Sequence, residues 1–412
     1  MTSSCGRRAR EEFLPEEVKD EWCPFKRRRL GDPDMPHNGR GHVYMSRFLG
    51  TAIPNKMLKA HPQVVPAYLQ ELKSDLSGLF NQGVECEGHV YRAALIGVKG
   101  DFEYHLEVTN YSRSYTHEGP TNPQAFCPEC MAGSDESLPG IDLRDPPAWL
   151  SSLYTSDPWS VVPPLSEIPF SESKKATLYR RDAFHTLKHG FLRDLCASCI
   201  IWLAHLRFFD SPGDSWSLAT RLERAHSSFH LYCLACKKSP SLRKFTKANF
   251  HRHKANMFPF LSGKGADTLI VLEWLRWFIK LLLREPRNSS NEILMAMLQT
   301  AEAALNYTGV ASSHNILIHK SCAKYLLRCG FKLLKGYAFL ASKAMSENRR
   351  LFSLRPKVHF YHHFLIDLQE QIRAVKEQDE ETPCILNYAA IFNCEANEDM
   401  IGKIARVYRA FQ

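Results

Sequence analysis

The sequence predicts an α/β protein that is predominantly helical. Residues 62–80 have helical spacing, and the apolar stretch 89–99 has the length and the polar boundaries of a strand buried on both faces. From residue 176 to about residue 378, apolar residues recur at helical spacing in segments separated by turn-forming residues. A helix followed by a buried strand is typical of α/β layers, and the long helical block makes helix the main component.

Composition favours a globular protein with an anionic partner. The chain has 412 residues, of which 44% are hydrophobic, and its 53 basic residues exceed its 44 acidic residues to give a net charge of +9. Nucleic acid is the first candidate partner. The N-terminus lacks the apolar core of a signal peptide, so we expect the thirteen cysteines to be reduced. The longest apolar runs are too short or too charged to span a membrane, so we expect no membrane partner.

Local composition divides the chain into five predicted segments. They are a disordered basic tail (1–40), the first part of an α/β core that ends in a C-x2-C loop (41–130), a proline-rich connection (131–175), a helical insertion (176–378) and a closing strand and helix (379–412). The tail contains the basic cluster Lys26–Arg29, which is either a nuclear-import or phosphate-contacting element or a solvated face.

Two carboxylates occupy positions where a cation site is expected. Asp101 follows the predicted strand, and in open α/β sheets ligands bind outside the carboxyl ends of strands. Glu398 lies one turn before Ile401 on the apolar side of the predicted last helix. Facing carboxylates suit a pair of Mg²⁺ or Mn²⁺ ions, although such a site normally has a third ligand. The simpler alternatives are a turn at Gly100-Asp101 and a helix cap at Glu398.

One cysteine pair and one histidine pair predict a zinc site. Cys127 and Cys130 have C-x2-C spacing in a loop, and His359 and His363 are one helical turn apart. Together they supply the two thiolates and two imidazoles of a Cys2His2 site. The alternative is that the two cysteines are free thiols and the two histidines are surface residues, with no metal between them.

Two further cysteine pairs are weaker candidates. Cys196 and Cys199 lie in an apolar helical run and are expected to be core residues. Cys233 and Cys236 precede the short motif "HRH" that begins at His251, whose single intervening residue departs from zinc-finger spacing.

The segment 242–254, "LRKFTKANFHRHK", interleaves aromatic and basic residues. This pattern suits phosphate contact with some base stacking, and it equally suits a solvated amphipathic helix. The predicted DNA-contacting residues are Arg243, Lys244, Lys247, Arg252 and Lys254.

The order of these motifs resembles that in DDE transposases of cut-and-paste DNA transposons, in particular the CACTA, Plavaka and KDZ-like groups and their Transib relatives. The similarity spans most of residues 60–411. It implies a partial RNase H-like core interrupted by a large all-helical insertion. Asp101 then matches the second catalytic carboxylate and Glu398 the last, while Asp182 and His185 match a [C/D]-x2-H motif that opens the insertion.

The resemblance also implies a structural zinc at the cysteine and histidine pairs, DNA as the partner, nuclear localisation and ancestral Mg²⁺-dependent strand cleavage and transfer. It is compatible with a homo-oligomer. The first catalytic Asp of the family has no match, since Asp32 and Asp34 lie in the tail and Asp75 lies within a predicted helix. We therefore expect a transposon-derived protein with impaired catalysis. The alternatives are a non-catalytic, zinc-stabilised DNA- or protein-interaction module and a helical scaffold with no nucleic-acid role.

Overall fold

The computed structural model describes residues 51, 53–117, 123–213, 215–314, 316–375, 384–395, 397–398 and 400–401. These residues are mostly helical, which confirms that part of the predicted fold class. They form two compact units. The first unit takes its residues from 39–182 and 392–412, and the second from 183–391. The strands among them pair into three two-stranded sheets, and the RNase H-like core stays a prediction.

The first unit combines short helices and strands with a long irregular connection. Its elements are α1 (Asn55–Ala60), α2 (Val64–Asn81), β1 (Val84–Cys86), β2 (His89–Tyr91), β3 (Val98–Lys99), α3 (Phe102–Thr109) and β4 (Tyr179–Arg180). Its core contains Leu69 of α2, Val108 of α3, and Trp159, Leu178 and Tyr179 from the connection and β4. These contacts hold the β3–β4 pair against α2 and α3.

The predicted buried strand at 89–99 is wrong. The first three residues of this stretch form β2, which pairs antiparallel with β1 in a hairpin. The hairpin turns at Glu87 and Gly88, which both have positive φ (52° and 78°), as a tight two-residue β-turn requires. Val90 of β2 is 60% exposed. An apolar run alone does not show burial, and the chain pairs again only at β3, which runs parallel to β4.

The proline-rich connection has the expected lack of long elements. Its helical parts are short 3₁₀ turns at Ala148–Ser152, Pro164–Glu167 and Glu172–Leu178. Pro147 directly precedes the first turn and Pro164 begins the second, where the missing backbone N–H costs nothing. Apolar anchors in these turns, such as the fully buried Trp149, fix an otherwise extended chain.

The second unit is almost entirely helical. Its elements are a π-helical turn (Phe184–Phe191), α4 (Leu192–His205), α5 (Leu218–Ala235), α6 (Gly265–Leu283), α7 (Glu292–Ser313), β5 (Leu317–His319), α8 (Lys320–Ser346), α9 (Pro356–Ala374), β6 (Cys384–Leu386) and α10 (Tyr388–Ile391). The helices lie close to the segments that helical spacing predicts, near 183–209, 215–236, 266–285, 291–308, 315–347 and 357–377. Ser217 and Asn291 cap α5 and α7 through their side chains, which explains where those two helices begin.

Helix α4 forms the centre of the second unit. It is buried on all sides, with Trp202 at 0% exposure, and Cys196 and Cys199 are core residues as predicted. Strands β5 and β6 pair antiparallel in the same unit, with Ile318 opposite Ile385. None of the helices in the described ranges is both long enough and apolar enough to cross a bilayer.

Candidate metal centres

The C-x2-C motif lies in a tight, buried loop. Cys127 and Cys130 are both 0% exposed. The backbone N–H of Glu129 donates to Cys127 Sγ at 3.5 Å, and the N–H of Phe126 donates to the carbonyl of Ala132 at 3.3 Å to close the loop. A hydrogen bond to sulfur favours the thiolate, which is the form that binds a metal.

The paired histidines lie on the first turns of α9. Pro356 begins this helix, and His359 and His363 follow on one face, each 1% exposed. Their Nε2 atoms lie 2.9 Å apart. The intervening His362 is also buried, but its ring lies edge-on to Phe331 instead. The two outer histidines therefore present converging ring nitrogens.

Ligand atoms of all four residues lie within 4.8 Å of one another, as predicted. The group comprises Cys127, Cys130, His359 and His363, all buried. Zn–S and Zn–N bonds of about 2.3 Å and 2.1 Å place tetrahedral ligand atoms within about 4 Å of each other. The composition, burial and spacing of this Cys2His2 cluster are thus compatible with a structural zinc ion.

The surroundings of the cluster disfavour free thiolates. Burial, and then the hydrogen bond and charge of Cys127, raise the pKa of the Cys130 thiol. The buried guanidinium of Arg113 opposes this shift, and its Nη1 donates to the carbonyl of Cys130 at 3.4 Å. A single cation outside the cluster does not offset two buried thiolates. A metal ion among the four ligands supplies the missing positive charge.

Asp101 has both a structural and a candidate functional role. It is the N-cap of α3, and its Oδ1 accepts a hydrogen bond from the backbone N–H of Tyr104 at 2.7 Å. The simpler alternative of a turn at Gly100-Asp101 is therefore wrong, since Asp101 caps a helix instead. The second oxygen, Oδ2, has no hydrogen-bond partner among the described residues. The cap fixes the carboxylate at the exit of β3.

Asp182 follows β4 as Asp101 follows β3. Since β3 and β4 are parallel and Lys99 lies opposite Arg180, the two aspartates emerge at the same edge of the sheet. His105, which is buried on α3, interacts electrostatically with both carboxylates. Burial lowers the pKa of its imidazole, and the charges of Asp101 and Asp182 act in the opposite direction. This edge of the first unit is therefore acidic.

Asp182 also holds the segment that carries Glu398. Its Oδ1 accepts from the backbone N–H of Cys394 at 2.8 Å, and Lys99 Nζ donates to the carbonyl of Asn393 at 3.3 Å. The N–H of Glu398 donates to the carbonyl of Cys394 at 2.9 Å, which begins a helical turn. The sequence gives no sign of this anchor beyond an aspartate two residues after each strand.

As a result, Asp101 and Glu398 come together. Their carboxylate oxygens and a ring nitrogen of His185 lie within 4.8 Å of one another, and Glu398 is exposed. Two oxygens on opposite sides of one Mg²⁺ ion are about 4 Å apart, so the spacing fits a shared cation. The catalytic roles of both residues stay predictions. Ile401 of the same segment is 58% exposed, which differs from its predicted place in a buried stripe, and residues 402–412 lie outside the described residues.

The basic segment 242–254 differs from the prediction in two respects. Its aromatic residues Phe245 and Phe250 are buried against each other, and Phe245 also packs against Trp274, so they are not available to stack on bases. Arg252 is 6% exposed, and its guanidinium donates to the carbonyls of Met257 and Arg350, so the predicted DNA contact at this position is not supported. The segment forms turns and irregular chain instead of a helix.

Four other predicted DNA-contacting residues in this segment are exposed, and their role stays a prediction: Arg243, Lys244, Lys247 and Lys254.

Cys233 and Cys236 do not form a third metal group in the described part of the chain. Cys233 is buried and Cys236 is exposed. His251 stacks on Phe260 with ring centres 3.7 Å apart, and its Nε2 lies 3.0 Å from Ser262 Oγ. His251 is therefore placed against Phe260 and Ser262 and not beside the two cysteines in a metal group of the described residues.

Asp75, one of the alternatives for a first catalytic carboxylate, lies on α2 and is exposed. Asp32, Asp34 and the basic cluster Lys26–Arg29 lie outside the described residues.

No protein-family model matches this chain, and no curated protein or solved structure matches it either. The transposase resemblance therefore depends on the motifs and on the geometry of the two clusters.

Proposed function

We propose that this chain is a transposon-derived, DDE transposase-like DNA-binding protein that keeps an impaired form of the ancestral phosphodiester cleavage by a divalent cation, because the first catalytic Asp has no match in the sequence. The proposal is supported mainly by one observation. Asp101 and Glu398, far apart in the chain, present carboxylate oxygens within 4.8 Å at the edge where two parallel strands end. This is the edge at which α/β proteins bind ligands.

The residues at this edge suit a hard cation. Carboxylate oxygens are preferred ligands of Mg²⁺ and Mn²⁺, and Asp101 is held in place by its capping hydrogen bond. A cation bound there would polarise a phosphoryl oxygen and lower the pKa of a bound water. Glu398 is exposed, so a DNA backbone can approach the ion from that side.

The zinc in this proposal has a structural role. All four ligands at the Cys2His2 cluster are protein side chains, and each is buried. Catalytic zinc sites keep one position open for water or substrate, whereas structural sites are closed. Zinc at this cluster therefore stabilises the fold and takes no part in cleavage.

DNA binding is supported by charge. The chain carries a net charge of +9, and Lys or Arg contacts with phosphates release counterions and strengthen binding at low salt. The exposed cations of the 242–254 segment are candidates for such contacts.

A second candidate function is a non-catalytic, zinc-stabilised DNA- or protein-interaction module. It is favoured by the small number of carboxylates at the candidate cation site. Among the described residues, the group of Asp101, His185 and Glu398 (the Asp101 group) contains only two. One oxygen of Asp182 is already used to hold Cys394. Loss of a third carboxylate would remove much of the electrostatic stabilisation of a two-metal mechanism.

Nicking of supercoiled plasmid distinguishes the two candidates. The wild-type protein should convert the plasmid to nicked circles in Mg²⁺ or Mn²⁺ and not in EDTA. Asp101→Asn and Glu398→Gln should abolish nicking, whereas Glu103→Gln, which removes an exposed carboxylate from the first turn of the same helix, should retain it. Salt-sensitive DNA binding without nicking by the wild type would support the module and refute the nuclease.

A further inference from the structure

A groove of about 930 Å³ lies between α7 and α8 in the second unit. Small side chains form its floor, among them Ala296 and Ala303 of α7. A Cβ on Gly336 of α8 would collide with Thr300 Oγ1, so this glycine is what lets the two helices approach each other. The longer side chains of both helices line the two sides of the groove.

The wall formed by α8 is basic and aromatic. Arg328, Lys332 and Lys335 are exposed at positions i, i+4 and i+7, which places them on one face of the helix, and Phe339 continues this row. A rise of 1.5 Å per residue separates successive cations by about 4.5–6 Å along the helix. The guanidinium of Arg328 lies 5.2 Å from the ring centre of Tyr325, in cation–π contact.

The charge of the groove is not balanced by its own carboxylates. Glu292 and Glu302 line the α7 side, but each already has a lysine partner elsewhere. Lys343 lies 3.0 Å from Glu292, and Lys280 lies 2.6 Å from Glu302.

Arg328, Lys332 and Lys335 have no ion pair within the described part of the chain. The groove is therefore a strip of uncompensated positive charge. The uncharged amides of Gln299 and Asn306 lie on its opposite side.

We infer that this groove binds single-stranded nucleic acid. The three cations suit phosphates, and the exposed ring of Phe339 suits an unstacked base. The inference rests on the proposed function, and it adds single-stranded DNA as the ligand of a surface built from residues other than the Asp101 group.

Fluorescence anisotropy with a labelled oligothymidylate tests the inference. The triple variant Arg328→Gln/Lys332→Gln/Lys335→Gln should bind at least about tenfold more weakly than the wild type, and three lost phosphate contacts should reduce the slope of log affinity against log salt by about 2. The matched control Lys56→Gln/Lys59→Gln/Arg284→Gln removes the same charge from exposed positions outside the groove and should retain most of the affinity. Equal losses in both triple variants would overturn the inference, since net charge alone would then explain binding.

Stacking and charge are separated by a second variant. Phe339, which is 36% exposed, can be changed to Ala with little expected effect on folding. Phe339→Ala should weaken oligothymidylate binding about fivefold or more with an unchanged salt slope. Unchanged affinity in this variant, or displacement of the oligonucleotide by polyglutamate at equal charge concentration, would show that the groove accepts any polyanion, and would refute the nucleic-acid assignment.

Failure of this inference can be distinguished from failure of the proposed function. If the wild type nicks plasmid but the groove variant binds the oligonucleotide normally, only the groove assignment is wrong. If nicking is absent but the groove variant alone loses binding, only the nuclease assignment is wrong.

Discussion

Asp182 accepts a hydrogen bond from the backbone N–H of Cys394 at 2.8 Å, across 212 positions of the sequence. This bond joins the end of β4 to the segment that carries Glu398. Asp182 is 1% exposed, so its carboxylate is held by protein groups with little help from water. The candidate cation site depends on this anchor as well as on its own ligands.

Replacement of Asp182 should therefore affect both stability and metal binding. Asp182→Ala leaves the N–H of Cys394 without its acceptor, which we expect to lower the free energy of unfolding by about 1–3 kcal/mol. Asp182→Asn keeps an acceptor oxygen at the same position and should be milder. Urea unfolding measures the first effect and Mn²⁺ titration the second. If Asp182→Ala leaves both unchanged, Asp182 does not position Glu398.

The two roles of Asp101 can be separated by choice of substitution. Asn caps helices as well as Asp does, whereas Ala costs about 1 kcal/mol at an N-cap. We therefore expect Asp101→Asn to unfold at nearly the wild-type urea concentration and Asp101→Ala to be less stable by about 1 kcal/mol. Both variants should lose cation binding. Retention of cation binding by Asp101→Asn would limit this residue to its capping role.

The zinc cluster predicts a fixed metal content. Purified protein should contain one zinc per chain by inductively coupled plasma mass spectrometry. Cys127→Ser should lose this zinc, and its free energy of unfolding should fall by about 4 kcal/mol or more. Cys86→Ser, which changes an exposed cysteine outside the cluster, is the matched control and should keep its zinc. Wild-type protein without zinc, or Cys127→Ser protein with a full complement, would refute the site.

The lowered pKa of His205 should make the folded protein less stable in mild acid. Burial, and then the charges of Arg349, Arg252 and Arg221, lower the pKa of its imidazole to about 4. Arg349 Nη1 lies 3.0 Å from His205 Nδ1, and this nitrogen accepts the bond only when it is unprotonated. Between pH 6.5 and 4 the unfolded chain therefore binds a proton that the folded chain does not, and stability falls as the pH is lowered through this window.

We expect His205 to contribute about 1–2 kcal/mol to this loss, after allowance for solvent screening of a partly exposed group. His205→Asn keeps an acceptor for Arg349 and should flatten the pH dependence of the urea midpoint. His253→Asn, at an exposed histidine, serves as the control. A pH dependence that is the same in His205→Asn and the wild type would assign the acid sensitivity to other groups.

The helices and the zinc ligands are the features that the sequence predicts best. Helical spacing and capping residues such as Ser217 and Asn291 are local signals, and they locate the helices of the second unit to within a few residues. The zinc set combines two local signals, C-x2-C and histidines at i, i+4, so that only the meeting of the two pairs depends on the fold.

The strands and the anchor of Glu398 could not be predicted in the same way. Strands β3 and β4 have two residues each, which is too short for any periodicity, and their register alone aligns Asp101 with Asp182. The Glu87-Gly88 turn was missed because Glu is an uncommon residue at positive φ. The groove between α7 and α8 could not be predicted, because basic residues on a helix surface are common and carry no signal of their own. Only the structure shows that Glu292 and Glu302 are paired with other lysines, which leaves the cations of α8 without a carboxylate partner.

The most direct test of the account is calorimetric titration of zinc-loaded protein with Mn²⁺. We expect a bound Mn²⁺ in the wild type and in Glu103→Gln, and affinities at least about tenfold weaker in Asp101→Asn and in Glu398→Gln, with the zinc content unchanged in all four proteins. Mn²⁺ affinities that are the same in the wild type and in both site variants would contradict it.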